Sequence, residues 1–267
     1  MLPLRRASFS SIALALSLLL GACGSTPPDR TAGMSAEKLY EDAKEDAAAG
    51  NYEQAMRSFE RLEGRAAGTL LAQQAQLELA YLHYRQNERP QAIAVLDRFM
   101  KLHPTSPAYD YALYLKGLVN FNDNLGFLGN LSRQDLSERD QQASRDAYQA
   151  FRQLVERFPQ SQYAADAEVR MNYIVNALAA YEVHVARYYF RRGAYVAAAN
   201  RAQQTVQEYQ QTPSVEEALY ILVRSYDALG LPQLRDDAER VLKHNYPESA
   251  YLTRGFGAKK KPWYQLW

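Results

Sequence analysis

The stretch Gly193-Ala194-Tyr195 is followed by Ala198 and Ala202, and Gly50-Asn51-Tyr52 is followed by Ala55 and Phe59 at the same spacing. Arg89 leads to Ala92 and Leu96, and Ala147 leads to Phe151, on the same step. A glycine ahead of a helical stretch closes the helix before it, because it enters the left-handed region at little steric cost. The tyrosine two positions on packs back against the pair. Small residues such as Ala43, Ala55, Ala80, Ala92 and Ala186 let two helices approach closely. The far end of each pair is also written in the chain, at His103-Pro104, Phe158-Pro159 and Tyr246-Pro247. Proline stops a helix because it lacks the amide and clashes with the preceding turn. In Glu208-Tyr209-Gln210, Gln210 stands at the equivalent place.

Ala55 and Ala92 lie 37 residues apart, close to the period of about 34 residues that marks tetratricopeptide repeats. Long stretches lack Gly and Pro, and alternating β patterns are scarce. The chain therefore reads as all-α, a superhelical solenoid of about five tetratricopeptide-like helix pairs. In such an array each pair buries a face of the next. The units run about 36–67, 71–104, 109–159, 162–210 and 214–247. They group into N-terminal repeats over 36–107 and C-terminal repeats over 108–250. In the fifth unit Gly230 and Tyr226 fit, but the second-helix alanine is displaced to Ala238, as in a capping repeat. Tyr163 to Arg192 contains neither Gly nor Pro, and as one helix it would span about 45 Å. The third unit carries an insertion, Asn122 to Asp140, with Leu125, Phe127, Leu128 and Leu131. Long loops in compact domains are often functional. Two readings stand: these apolar residues dock into a groove of the solenoid, or they cover a helix end.

The first 22 residues have a different character. Arg5 and Arg6 precede an uncharged run, Ile12 to Leu20, and then Gly21, Ala22 and Cys23, the one cysteine of the chain. That order is the layout of a secretory signal, and its end resembles a bacterial lipobox. The resemblance implies cleavage before Cys23, diacylglycerol on its sulfur and an acyl chain on the new amino terminus. The run is shorter than the roughly 20 apolar residues of a spanning helix. Several acyl chains give stable attachment where one gives only marginal binding. Gly24 follows the cysteine, where an aspartate would resemble an inner-membrane retention signal; its absence favours the outer membrane, on the periplasmic face. Residues 23–35 read as an acylated flexible tether, slightly stiffened by Pro27-Pro28. Removing Arg5 and Arg6 from 31 basic residues leaves 29 against 30 acidic ones, a formal charge of −1. A nearly neutral, mixed surface gives no reason to expect nucleic-acid binding.

No chemistry-bearing motif stands out. His83, His103, His184 and His244 have no metal-ligand spacing, and no Gly-rich phosphate loop, nucleophile elbow or carboxylate pair appears. The chain reads as a binding protein with no catalytic residue, metal or cofactor. Stacked helix pairs present a concave surface built by first helices, and Tyr81, Tyr84, Tyr111 and Tyr114 fall on that part of units two and three. Tyrosines suit an extended or strand-like peptide, since they give contact area at little entropy cost. Helix periodicity would place about half of them in the core instead.

Lipobox, five repeats and the long fourth-unit helix together resemble the competence lipoprotein, or BamD, family of outer-membrane assembly lipoproteins. The most specific stretches are YALYLKGL (111–118), RFPQSQYAADA (157–167), AAYEVHVARYY (179–189) and GAYVAAANR (193–201). The resemblance implies a lipoprotein subunit of the machine that folds β-barrels into the outer membrane. C-terminal repeats would hold the periplasmic domains of the barrel-forming subunit, beside other assembly lipoproteins. N-terminal repeats would take the C-terminal strand of unfolded barrel proteins. The family's partner-binding arginine falls on Arg201, next to Asn200, where a charge-assisted pair with an acidic partner residue is the expected chemistry; a solvated helix arginine is the plain alternative. The family often has an aromatic, proline-containing turn between the first two repeats. Here Gly64 to Gln74 has neither, which weakens the transfer of substrate contacts at that turn. The last residues, 251–267, form a basic-aromatic tail whose Lys259 to Lys261 and Trp263 suit an anionic interface or simply fray. The competing functional reading is a periplasmic repeat lipoprotein that organises cell-wall synthesis.

Overall fold

A computed structural model describes residues 33–121 and 141–258. Within them the secondary structure is helical, without strand. The helices are α1 (Ala36–Ala48), α2 (Tyr52–Arg65), α3 (Leu70–Arg85), α4 (Arg89–Leu102), α5 (Tyr109–Asn120), α6 (Gln141–Arg157), α7 (Ala164–Arg191), α8 (Tyr195–Glu208), α9 (Ser214–Ala228), α10 (Pro232–Asn245) and α11 (Ala250–Arg254), ending in a 3₁₀ turn, Gly255–Ala258. Odd and even helices from α1 to α10 pair into five antiparallel hairpins, as the repeat predicts. The long fourth-unit helix is continuous: α7 holds 28 residues. The insertion at 122–140, the leader with Cys23, and the tail from 259 lie outside the described residues.

The turns inside four of the five pairs share one hydrogen-bond pattern. After α1, the Gly50 N–H donates to Ala47 O and the Asn51 N–H to Asp46 O. The same two bonds recur at Gly193 and Ala194, and at Gly230 and Leu231. Each turn is a Schellman motif, whose C′ residue must take positive φ. Gly50, Gly193 and Gly230 have φ of 85°, 77° and 68°. In the second pair Asn87 does the same work at φ 62°, the only residue besides glycine that commonly tolerates it apart from aspartate.

The turns between pairs repeat as well. The chain reads His103-Pro104-Thr105-Ser106, Phe158-Pro159-Gln160-Ser161, Tyr209-Gln210-Gln211-Thr212 and Tyr246-Pro247-Glu248-Ser249. In each, the fourth residue's N–H donates to the first residue's carbonyl. Ser106 Oγ then bonds Gln73 Oε1 at 2.8 Å, and Ser161 Oγ bonds Asp110 Oδ2 at 2.7 Å. These hydroxyls tie the entrance of one first helix to that of the previous one.

Three clusters form a continuous core. Leu39, Phe59, Leu62, Leu82, Phe99 and Leu115 pack across α1 to α5. Leu113, Phe151, Leu154, Ile174 and Leu178 continue through α5 to α7. Val183, Ala186, Ala198, Ala202, Leu219 and Leu242 finish it through α7 to α10. So α5 serves the first two clusters and α7 the last two, which is the nearest-neighbour stacking of a solenoid. The alanines at positions 43, 55, 80, 92 and 186 are wholly buried. Gly117 on α5 is equally tight, since a Cβ there would sit 2.6 Å from Phe151 Cζ. The start of the segment read as tail is packed: Tyr251 stacks on Tyr220 at 5.4 Å, and Phe256 meets Phe190 at 5.0 Å. A short extra helix, α11, thus closes the last pair.

Candidate functional site

First helices α1, α3, α5 and the entrance of α7 carry one linked row of polar and aromatic side chains. On α1, Lys44 Nζ donates to Glu78 Oε1 on α3 at 2.6 Å, and Tyr40 Oη donates to the same oxygen at 3.4 Å. Tyr81 lies one turn on from Glu78, with its ring 6.4 Å from that of Tyr84. On α5, Tyr111 lies 5.5 Å from Tyr163, and Tyr114 stacks on Tyr163 at 4.7 Å. Tyr114 Oη donates to Asp166 Oδ2 at 2.7 Å, and Arg170 Nε donates to the same carboxylate at 2.5 Å. Tyr81, Tyr84, Tyr111 and Tyr114 are all half-buried, with part of each ring in the core and part open to solvent.

The electrostatics of the row keep every phenol neutral. Burial pushes the Tyr111 hydroxyl well above the ordinary tyrosine range, and the charge of Glu78 adds to it. Burial, then Asp166, raises Tyr114 in the same way. Burial disfavours the Lys44 ammonium, but the hydrogen bond and charge of Glu78 outweigh it, so Lys44 stays above its ordinary value. Burial likewise opposes ionisation of Asp166, yet bonds from Arg170 and Tyr114 hold its carboxyl below the ordinary range. The row thus offers uncharged hydroxyls, aromatic faces and fixed carboxylates, a mixture able to hydrogen-bond a peptide backbone while covering its side chains.

A second polar cluster sits further along α7. Arg201 on α8 donates to Glu182 Oε2 on α7 at 2.8 Å. Glu182 is buried, with 2% of its side chain exposed, while 41% of the Arg201 side chain faces solvent. The neighbouring stripe on α8 is small: Ala198, Ala202 and Thr205 are wholly buried where other second helices bring Phe or Leu. Asn200 is exposed beside it. A second buried carboxylate, Glu217 on α9, joins Arg187 of α7 at 2.6 Å and accepts from Tyr251 Oη at 2.9 Å. No helix among the described residues is long and apolar enough to cross a membrane.

Residues 32–242 match the YfiO family, described as outer membrane lipoprotein. The chain belongs to that family. It is 47% identical over 261 residues, 96% of this chain and 98% of the relative, to an outer membrane protein assembly factor BamD from Neisseria meningitidis serogroup A. It is 36% identical to another so named from Xylella fastidiosa (strain Temecula1), over 91% of this chain and 83% of that one. Among solved structures, PilW, a type IV pilus biogenesis factor, is similar over 83% of this chain and 98% of its own at 16% identity and a TM-score of 0.36; a likeness this loose carries no argument.

Within this family member, the four tyrosines named from the sequence fall on one linked row, while Asn200 and Arg201 lie apart from it. Asp166 and Glu182 are 16 positions apart on α7, about 24 Å along its axis. Sequence reasoning did not single out Glu78, Asp166 or Glu182. Spacing alone marks Asp166 and Arg170 as an i, i+4 pair. Nothing comparable marks Glu78 or Glu182, whose partners Lys44 and Arg201 are 34 and 19 residues away.

Proposed function

We propose that this protein is a non-enzymatic, lipid-anchored scaffold of outer-membrane β-barrel assembly. Acylated Cys23 tethers it to the periplasmic face of the outer membrane. The N-terminal repeats bind the C-terminal strand of unfolded barrel proteins, and the C-terminal repeats bind periplasmic domains of the barrel-forming subunit. The observation that carries the reading is the unbroken tyrosine and carboxylate row from α1 to α7, in a chain whose relatives are named outer membrane protein assembly factors. Half-buried tyrosines give rigid contact area with a polar tip, which suits a partner that is extended and still has unpaired backbone groups. Arg201 supports the second contact. Its outer edge stays open to an acidic residue of a partner while Glu182 fixes its position.

Affinity purification of the full chain in mild detergent tests this. Recovery of a β-barrel subunit is expected, and depletion should lower the number of barrels in the outer membrane. Recovery of a cell-wall synthase without any barrel protein would overturn the reading.

A further inference from the structure

Most cations near the first-helix row are tied to a carboxylate. Lys44 pairs with Glu78, Arg98 with Glu63, Lys116 with Asp97 and Arg170 with Asp166. Arg85, the last residue of α3, is held differently. Its Nη1 donates to Tyr81 Oη at 3.1 Å and its Nη2 to Tyr52 Oη at 3.2 Å. Its Cζ lies 5.8 Å and 5.9 Å from the centroids of the same two rings. No carboxylate stands within ion-pair reach of Arg85 among the described residues, and its side chain is exposed.

The hydrogen bonds have a direction that matters. Each phenol oxygen accepts from the guanidinium, so its own proton is still to be donated, and neither hydroxyl donates to another described residue. The guanidinium has five N–H donors and no acceptor. The cluster therefore presents donors and positive charge and nothing that accepts. Tyr81 also belongs to the row, close enough to both Lys44 and Tyr111 for their charges to interact. An acceptor-only anion at the edge of a peptide-binding row has an obvious form, the end of the peptide itself.

We propose that Arg85, with the hydroxyls of Tyr52 and Tyr81, takes the terminal carboxylate of an extended peptide lying along the tyrosine row. The assignment rests on the peptide-binding reading of that row. It fixes polarity: the chain terminus sits at the C-terminal end of α3, and the preceding residues run past Tyr81 towards Tyr111 and Tyr114.

The test uses the full chain in mild detergent and a labelled peptide of roughly ten residues with alternating apolar and polar side chains. It is made once as the free acid and once as the C-terminal amide, and binding is read by fluorescence anisotropy. The wild type should prefer the acid by about tenfold or more, and Arg85→Gln should erase that preference while binding the amide within about twofold of wild type. Tyr52→Phe combined with Tyr81→Phe should shrink the preference without loss of helicity. Equal binding of acid and amide by the wild type would overturn the carboxylate site and reduce Arg85 to a helix-end cation. An amidated peptide carrying an internal glutamate that binds as well as the free acid would overturn the terminal assignment. In both cases a loss of affinity in Tyr111→Ala would leave the row itself standing. If neither peptide binds at any accessible concentration, the reading of the row fails along with the site.

Discussion

Arg201 is the residue at which a binding experiment is most easily misread. The obvious perturbation is Arg201→Glu, which should break a partner contact. But Arg201 also neutralises Glu182, whose side chain is 2% exposed. Removing one member of a fully buried ion pair costs about 3–5 kcal/mol, because the other charge is left without compensation. An exposed pair is worth only about 0–1 kcal/mol. With 41% of the Arg201 side chain open to water, this pair lies between the limits, and Arg201→Gln should cost about 2 kcal/mol. For a domain of this size that lowers Tm by about 4–8 °C. Arg201→Glu sets two carboxylates against each other and should cost more. The pairing predicts strong coupling: with Glu182→Gln already in place, Arg201→Gln should cost less than about 1 kcal/mol. Urea unfolding of the four proteins of this cycle, at constant m, measures it. Additive effects within about 0.5 kcal/mol would refute the claim that Arg201 holds Glu182. The double variant is then the proper tool for the proposed interface, because it removes the guanidinium while keeping the fold. Undiminished capture of the barrel subunit by that double variant would count against Arg201 as a partner residue.

Four further outcomes are expected. Gly117→Ala should destabilise despite sitting mid-helix, where the change normally gains about 1 kcal/mol; overpacking against the buried Phe151 ring costs about 1–3 kcal/mol or more, so a rise in Tm would show that the ring yields freely. Asn87→Ala should cost about 1 kcal/mol and Asn87→Gly less than about 0.5, since the position has φ 62° and only a side chain at odds with left-handed geometry is penalised. Asp166 has its folded pKa lowered, so its contribution is present above the unfolded value of 3.8 and disappears as pH falls through the folded one. With 46% of that side chain exposed, the contribution is about 0.5 kcal/mol, and the stability gap between wild type and Asp166→Asn should close in acid rather than widen. Cys23→Ser should move the protein from the membrane pellet to the supernatant; continued sedimentation with membranes would contradict the acyl anchor.

The repeat was legible because its signals are local. Gly50, Gly193 and Gly230 announce the turns within pairs, and Pro104, Pro159 and Pro247 the turns between them, each through its own backbone geometry. Two local signals went unused. Asn87 fills the glycine position of the second pair, and the serine or threonine two to three residues past each helix end closes the joint to the next unit. Both are written at fixed offsets and required only that asparagine be admitted beside glycine, and the hydroxyl beside proline. The site was harder for a different reason. Tyr81, Tyr84, Tyr111 and Tyr114 were placed on first helices by repeat position, but the carboxylates that organise them come from other units. Glu78 meets a lysine 34 residues earlier, and Glu182 an arginine 19 residues later. A charged residue within an apolar helix stretch reads as a solvated position unless the partner across the turn is known. Only the stacking of pairs supplies that partner.

The same stacking explains why one helix twice the usual length matters. A solenoid of equal pairs transmits position only through successive contacts, each with its own give. Here α7 enters the row through Tyr163, Asp166 and Arg170, then carries Glu182 and Arg187 to the last two pairs. It contributes buried residues to both the middle and the last core clusters. A single helix therefore sets the distance from the row to Arg201, about 24 Å from Asp166 to Glu182 along the axis. If the row holds a substrate strand and Arg201 a partner domain, the two cargoes are kept at a fixed separation with no hinge between them. A scaffold of this kind acts by raising local concentration and fixing orientation. Two glycines inserted in α7 near Val175, between the sites, should then leave peptide binding and partner capture individually intact while barrel assembly falls. Unimpaired assembly with that spacer broken would mean that the two ends work independently, and that the length of α7 serves packing alone.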